Sequence, residues 1–451
     1  MKTLLAALGL GLFACAGQGA ADAVTNSPTS RDLVIRALAY SPALRAVERQ
    51  ADAARQQGAQ AVAAGRPSVE ADAHAGHFEG LSDARFGPSV TIPSVADRYS
   101  ARLGVAQPLY TGGEQSARQR AARRMIESAE AETESVQGRV AAQTLAAYWS
   151  WSQAVSLADA LHDTVTWMEA HLLDVRALRG AGLASETDLL AAEAQAEGAR
   201  LRLSEAGRKS DLARASLSRL AGMELAAEQR PRQAPPAFVE EGLPTLDAAL
   251  LRSTNRAELV ILERTVRALD ERVRAARGAG RPQVYASAWY EQGNPNFYNF
   301  PLEEKWQDTA FVGITATWKV FDSGLVKAGV KEQIARRDAA AGTLAEARDE
   351  FRLDARRAHI ELGSALHRVR AAARTEAAAE RSLRQATDHW KNGMARHSDV
   401  LDAEARHSEA RCARLGACAD VMLAKAGLAF ATGDLLQLVE KPGGPLAEPL
   451  E

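Results

Sequence analysis

Leu109-Tyr110-Thr111-Gly112-Gly113 returns 211 positions later as Val320-Phe321-Asp322-Ser323-Gly324, each time an apolar pair followed by a polar residue and a turn ending in Gly. A long Ala-, Arg- and Glu-rich segment follows each turn and runs to a Gly break, Gly182 in the first case and Gly393 in the second. Beyond the breaks, Thr187-Asp188-Leu189-Leu190-Ala191-Ala192-Glu193 matches Ser398-Asp399-Val400-Leu401-Asp402-Ala403-Glu404, and the offset holds to Gly222 and Gly433. A constant register over that length predicts two copies of one structural unit, so the fold should carry internal pseudo-symmetry.

The long segments read as helices. Glu114 to Arg179 would span roughly 100 Å at 1.5 Å per residue. Within it Leu161, Val165, Met168, Leu172 and Val175 step by 4, 3, 4, 3, the spacing of helices packed lengthwise. Leu183–Ala221 predicts a shorter helix after the break. Ser30–Ala64 and Leu246–Ala279 predict helices before the strands, each closed by Gly and Pro. The two shorter helices of a unit together match the long one, which suggests a cylinder wall.

Four stretches lose the helical period: Val69–His77, Tyr99–Tyr110, Val284–Tyr290 and Thr309–Phe321. In the last, Val312, Ile314, Ala316, Trp318 and Val320 share one face, with Thr315, Thr317 and Lys319 on the other. Nine to eleven residues is about the length a tilted strand needs to cross a bilayer. A soluble hairpin would show the same alternation, so the pattern alone leaves both readings open. Past the N-terminus no run of about 18 apolar residues predicts a spanning helix. Entry into a membrane would therefore require strands closing a barrel. The stretches 77–98 and 292–307 read as strand-joining loops.

The N-terminus reads as a secretory signal, with Lys2, an apolar run Leu4–Ala16 and the small-x-small site Ala21-Asp22-Ala23. Leu12-Phe13-Ala14-Cys15 also resembles a lipobox that would acylate Cys15. Bulky Phe13 favours cleavage after Ala23. The expected organisation is a signal over 1–23, a first repeat over 24–222 and a Pro-rich linker over 223–245. A second repeat follows over 246–433, then a mobile tail over 434–451.

Among 451 residues, a net charge of −2 argues against a nucleic-acid partner, which needs a basic face. Cys412 and Cys418 lie on different sides of one helix and cannot bridge within it. Glu404-x-x-His407 has the spacing of di-metal helical bundles, but the second such motif they need does not occur. His359, His367, His389 and His397 are expected on charged helical faces. No nucleophile elbow, phosphate loop or Cys-x-x-Cys is present. Neither an enzyme nor a metal or cofactor site is expected.

The signal, the duplicated unit, Gln107–Gly113 and the Gly393–Ala403 run together resemble the TolC-like outer-membrane efflux protein family across nearly all of the mature chain. That resemblance implies a mainly α fold with a transmembrane β part. It further implies a homotrimer whose 12-stranded outer-membrane β-barrel, bedded in outer-membrane lipid, continues into a periplasmic α-helical barrel. Family members are passive exit ducts for type I protein secretion or small-molecule efflux. They dock on a periplasmic adaptor and an inner-membrane pump, either ABC-type or proton-driven.

The family's gate motif falls on Asp399 and Asp402, which share a helix face at i, i+3. In a trimer they would form two cation-attracting rings. Asp399 alone would equally suit the favourable first turn of a helix. The family's closed-state contacts fall on Thr187 and Asp188, with Trp390 in the aromatic position. Ala395 occupies the Arg position, and Arg396 stands beside it. The helix tips, Gly182 and Leu183 with Gly393 and Met394, would meet the adaptor. The alternative reading is a periplasmic coiled-coil adaptor or scaffold that never spans the membrane.

Overall fold

The computed structural model describes residues 28–87, 90–92, 94–232, 244–299 and 302–440. Cys15 and the signal segment lie outside them. The chain is mainly helical with a four-stranded sheet and a separate two-stranded one among the described residues, and it divides into two compact units.

One unit comprises residues 45–135 and 257–350. It holds β1 (Ser68–His77), β4 (Asp97–Tyr110), β5 (Gln283–Asn294) and β6 (Gln307–Thr317), paired antiparallel in the order β1-β4-β5-β6. Asp72 faces Arg102, Arg102 faces Glu291 and Glu291 faces Thr309. β2 (Ala84–Phe86) and β3 (Val90–Ile92) form a separate small hairpin inside the stretch expected to be loop. The fourth strand stops at Thr317. Trp318 turns away and donates its indole N–H to the Gly280 carbonyl at 3.2 Å, so the alternation read from Trp318 to Val320 is not strand.

Below the sheet, α2 (Pro42–Ala63) and α6 (Ala257–Gly278) accompany the starts of α3 (Glu114–Gly180) and α7 (Leu325–Lys391). Gly112 shows why the turn before α3 is glycine. Its φ is +65°, and a Cβ there would sit 2.5 Å from the Gly278 carbonyl oxygen. The turn before α7 is built differently. Asp322 accepts from the backbone N–H groups of Gly324 at 2.9 Å and Val326 at 2.8 Å, and Ser323 takes the positive φ.

The other unit comprises the described residues of 1–44, 136–256 and 351–451. α1 (Ser30–Tyr40), α4 (Glu186–Ala221), α5 (Leu246–Arg252), α8 (His397–Thr432) and α9 (Leu435–Glu440) pack here with the remainders of α3 and α7. Both long helices have 67 residues, and α4 and α8 have 36 each. The predicted stripe Leu161, Val165, Met168, Leu172 and Val175 is buried throughout. Its members from Val165 on meet Leu189, Ala192, Ala196 and Ala199 of α4, and Leu401 of α8. Ala on the facing side permits a close interhelical distance, at the short end of about 8–10 Å. A second cluster gathers Leu33, Leu145, Tyr148, Trp149, Trp151, Leu217, Met422 and Leu435. α8 is apolar and long enough to cross a membrane, but Val400, Leu401, Val421, Met422 and Leu428 are buried in the protein.

Several expectations need correction. Ser30–Ala64 is two helices, because Pro42 pushes Ser41 into extended backbone at ψ 116°. Leu246–Ala279 also breaks, through a 3₁₀ turn at Ser253–Asn255. There the buried Arg256 guanidinium lies 4.1 Å from the Phe351 ring centre and 5.1 Å from that of Phe430. The linker's first part has no regular structure, yet it is docked. Leu225 is fully buried, and Arg230 pairs with Asp159 at 2.7 Å. The tail begins as α9, whose Leu435 and Val439 enter the core. Residues 233–243 and 441–451 lie outside the described set.

Gly222 ends α4 with φ +65°, and a Cβ there would fall 2.1 Å from the Tyr40 ring. Gly182, at φ +75°, has nothing within 4 Å of its own Cβ position. Either Gly→Ala change incurs the left-handed backbone cost of about 1–2 kcal/mol, but only Gly222→Ala must also displace Tyr40. Gly222→Ala should therefore lower Tm clearly more than Gly182→Ala in thermal unfolding of detergent-solubilised protein. Equal losses would show that Tyr40 yields freely.

Candidate functional site: helix tips and an exposed strand face

The two helix tips close by the same chain geometry. After α3, Gly182 donates to the Arg179 carbonyl at 2.9 Å and Leu183 to that of Leu178 at 2.8 Å. After α7, Gly393 donates to Trp390 at 2.9 Å and Met394 to His389 at 2.8 Å. These are Schellman closures with Gly in the left-handed position. Each leaves an apolar side chain in solvent, Leu183 at 76% and Met394 at 68% exposure.

The helices that follow are capped unequally. Ser185 accepts from the Asp188 N–H at 3.1 Å, while the Asp188 carboxylate accepts from the Ser185 N–H at 3.0 Å and hydroxyl at 2.6 Å. Those Ser185 donors, the hydroxyl first and the backbone second, hold the Asp188 carboxyl below its ordinary range. At the second tip the cap residue is Arg396, which offers no side-chain acceptor. Only half the box forms, from the Arg396 N–H to Asp399 at 3.0 Å. Asp399 thus fills the first-turn role open to it from sequence. Asp402 stands one turn further on, and both are exposed, while Val400 and Leu401 between them and Ala403 just after are buried.

The four closed-state residues are not gathered in the single chain. Asp188 is committed to its own cap and Thr187 is exposed. Arg396 is exposed and contributes its backbone N–H. Trp390 does reach α3, but through His171, with ring centres 5.1 Å apart. His171 also stacks on Trp167 at 5.0 Å and on His397 at 4.6 Å, and its Nε2 lies 3.1 Å from His397 Nδ1. His397 is therefore half-buried among rings, not on a charged face as expected. Burial, followed by the neighbouring His397, takes the His171 pKa down to about 4, with Asp174 opposing. Burial likewise lowers His397, against Asp188.

His171 was legible in principle, since Thr164, Met168, His171 and Val175 also step by 4, 3, 4. Further along the same helix, Thr164 and Ser408 share a hydrogen bond at 3.0 Å. Glu404 is 4% exposed, and burial pushes its pKa up to about 7 against the pull of Arg411. Among the described residues, no three His, Cys, Asp or Glu side chains come together as a metal site.

The sheet has two unlike faces. On one, Val69, Leu103, Val105, Tyr290, Val312 and Ile314 are all exposed, Val312 at 85%. On the other, Arg102 donates to Glu291 through Nε at 2.7 Å and lies 4.6 Å from the Trp289 ring centre. Trp289 stacks on Phe311 at 5.5 Å. A bilayer-length apolar face open to the surroundings, backed by a polar face with paired charges, is the inside-out pattern of a membrane strand.

A search of curated protein sequences finds no match. Among solved structures, the chain is similar to the open state of the Neisseria gonorrhoeae MtrE outer membrane channel. The TM-score is 0.76 at 21% identity, over 91% of this chain and 90% of that one. The Vibrio cholerae outer membrane protein VceC aligns with TM-score 0.75 at 18% identity, over 90% and 96%. The Campylobacter jejuni CmeC outer membrane channel aligns with TM-score 0.76 at 15% identity, over 91% and 86%. At these identities the likeness shows the fold alone. The family model described as outer membrane efflux protein matches residues 33–223 and 251–434. The chain belongs to that family, whose members are channels of the Gram-negative outer membrane that extend into the periplasm.

Proposed function

We propose that three copies of this chain close one 12-stranded barrel and form a passive exit duct through the outer membrane. The supporting observation is the four-stranded sheet, which is apolar and exposed on one face and bare at both edges. Among the described residues, the outer edges of β1 and β6 carry N–H and C=O groups that no other strand satisfies, and lipid cannot satisfy them either. Pairing β6 of one copy with β1 of the next removes every edge. Three is the number of copies that the family resemblance implies. The same features count against the periplasmic scaffold, which has no use for an exposed bilayer-length apolar face.

In this reading the two repeats are wall segments, and the helices continue the duct into the periplasm. The tips around Leu183 and Met394 meet a periplasmic adaptor, which couples the duct to an inner-membrane pump. The duct serves tripartite efflux of small molecules or type I protein secretion; its own residues supply no energy source. Asp399 and Asp402 line the periplasmic constriction as two rings of three carboxylates, and cations concentrate there.

Purified protein should require detergent, cross-link as a trimer and give discrete current steps in planar lipid films. Protein that stays monomeric in plain buffer and leaves the films silent would overturn the duct. The double variant Asp399→Asn, Asp402→Asn should keep the current. It should also raise the half-blocking concentration of a trivalent cation such as hexamminecobalt by about tenfold or more, equivalent to at least about 1.4 kcal/mol of binding. Unaltered block would remove both carboxylates from the constriction.

A further inference from the structure

Four rings meet just inside the helix tips: Trp167 and His171 of α3, Trp390 at the end of α7 and His397 at the start of α8. They join α3 to the turn that connects α7 with α8, so separating that turn from α3 must break them apart. At their centre the two imidazoles touch through His171 Nε2 and His397 Nδ1 at 3.1 Å. His397 Nε2 is buried and has no hydrogen-bond partner among the described residues.

That geometry selects one protonation state. A neutral His397 with its proton on Nδ1 donates to His171 Nε2 and leaves only a lone pair at the buried Nε2. Protonating His397 would place an N–H where no described residue offers an acceptor, and a buried unsatisfied donor disfavours that state. Protonating both rings would set two cations against each other. We propose that this His171–His397 pair is a proton-released latch, which holds the α7–α8 turn against α3 while both rings are neutral and lets go on acidification. The consequence for conduction rests on the reading of the tips as the gated end of a duct; the latch itself does not.

The charged groups whose fields reach the pair are Asp174 from α3 and Asp188 from the start of α4, and both favour protonation. α7 presents the uncharged Trp390, and α8 presents His397 itself. Burial outweighs the two carboxylates. A His pKa lowered in the closed form means that the open form binds more protons. Closure is therefore fully favoured above the ordinary value near 6.5 and lost progressively as pH falls toward about 4.

Glu404 works in the opposite direction. Its pKa is raised by burial to about 7, so the closed form binds the extra proton and acid strengthens that seam. Seven residues along α8 from His397, it lies roughly 10 Å inside the tip. The variant Glu404→Gln silences it.

The test is hydrogen exchange of the full-length trimer in detergent, in the Glu404→Gln background, at pH 7.5 and pH 5.0. Rates are corrected for the intrinsic pH dependence of exchange. Amides within 166–175 and 388–400 should lose protection on the order of tenfold at pH 5.0, while those of 140–150 keep theirs. The double variant His171→Phe, His397→Phe, which retains both rings without a proton to gain, should abolish the difference. If that variant does not fold, His171→Asn with His397→Asn should abolish it instead. Protection that is equal at the two pH values, or a loss that persists in the non-titrating variant, would overturn the latch. Planar-film recordings of the same proteins separate the two readings. A rise in open probability at pH 5.0 that the variant lacks supports both. The expected exchange pattern with no current at either pH leaves the latch standing and removes the duct.

Discussion

A helix of 67 residues cannot bury one face on a compact core, so each turn of α3 and α7 has to find its partner on another helix. Isolated helices gain little in water, and most of their stability comes from tertiary packing of an apolar stripe. In α3 that stripe is Val165, Met168, Leu172 and Val175, and the partner is the Ala-rich face of α4. Each buried Leu, Val or Met contributes about 1.5–3 kcal/mol, provided no gap is left at the contact. Alanine opposite the larger residues meets that condition by letting the backbones close in. The small aromatic share of the composition follows from the same requirement: rings would hold such helices apart. Where rings do occur, at Tyr148, Trp149 and Trp151, α1, α9 and the docked segment after α4 thicken the unit enough to enclose them.

The sheet obeys a different constraint. Its polar face pairs Arg102 with Glu291 and lays the guanidinium over Trp289. Its apolar face has no partner among the described residues, and burying β-branched residues such as Val312 and Ile314 needs something beyond them. The two junctions at which strand passes to helix are unequal. Gly112 is locked by the close approach of Gly278, whereas the turn at Asp322–Gly324 is held only by its own hydrogen bonds.

Legibility in the sequence followed how local each cause was. The ends of the four long helices were readable because a Gly in the left-handed region stops each one, a signal carried by a single residue and its neighbours. The α3 stripe was readable because burial there has one period along one helix. Three other features depend on residues far apart in the chain. The break at Ser253–Asn255 is set by Arg256 between Phe351 and Phe430, about a hundred and more positions away. The burial of His397 depends on His171 and Trp390, so its charged sequence neighbours misled. The first turn of the tail becomes α9 because Leu435 finds the cluster around Trp149. In the strands, alternation marked the correct face but not the end, since Trp318 to Val320 keep the period after the ladder has stopped.

The unequal caps bear on which tip is easier to move. A full capping box, as at Ser185 and Asp188, satisfies two otherwise orphaned N–H groups, and losing a cap typically costs about 1 kcal/mol. Arg396 has no side-chain acceptor, and the Asp399 N–H donates to the Arg396 backbone carbonyl at 3.1 Å, so α8 lacks only the hydroxyl half of the box. That difference falls at the turn that carries the exposed Asp399 and Asp402. A tertiary contact also holds this turn: His397 and Trp390 pack on His171. A local cap persists when a helix swings as a rigid piece, whereas a contact to another helix is lost in the same motion. The second tip therefore keeps a backbone cap that is indifferent to movement and adds a contact to α3 that opposes it.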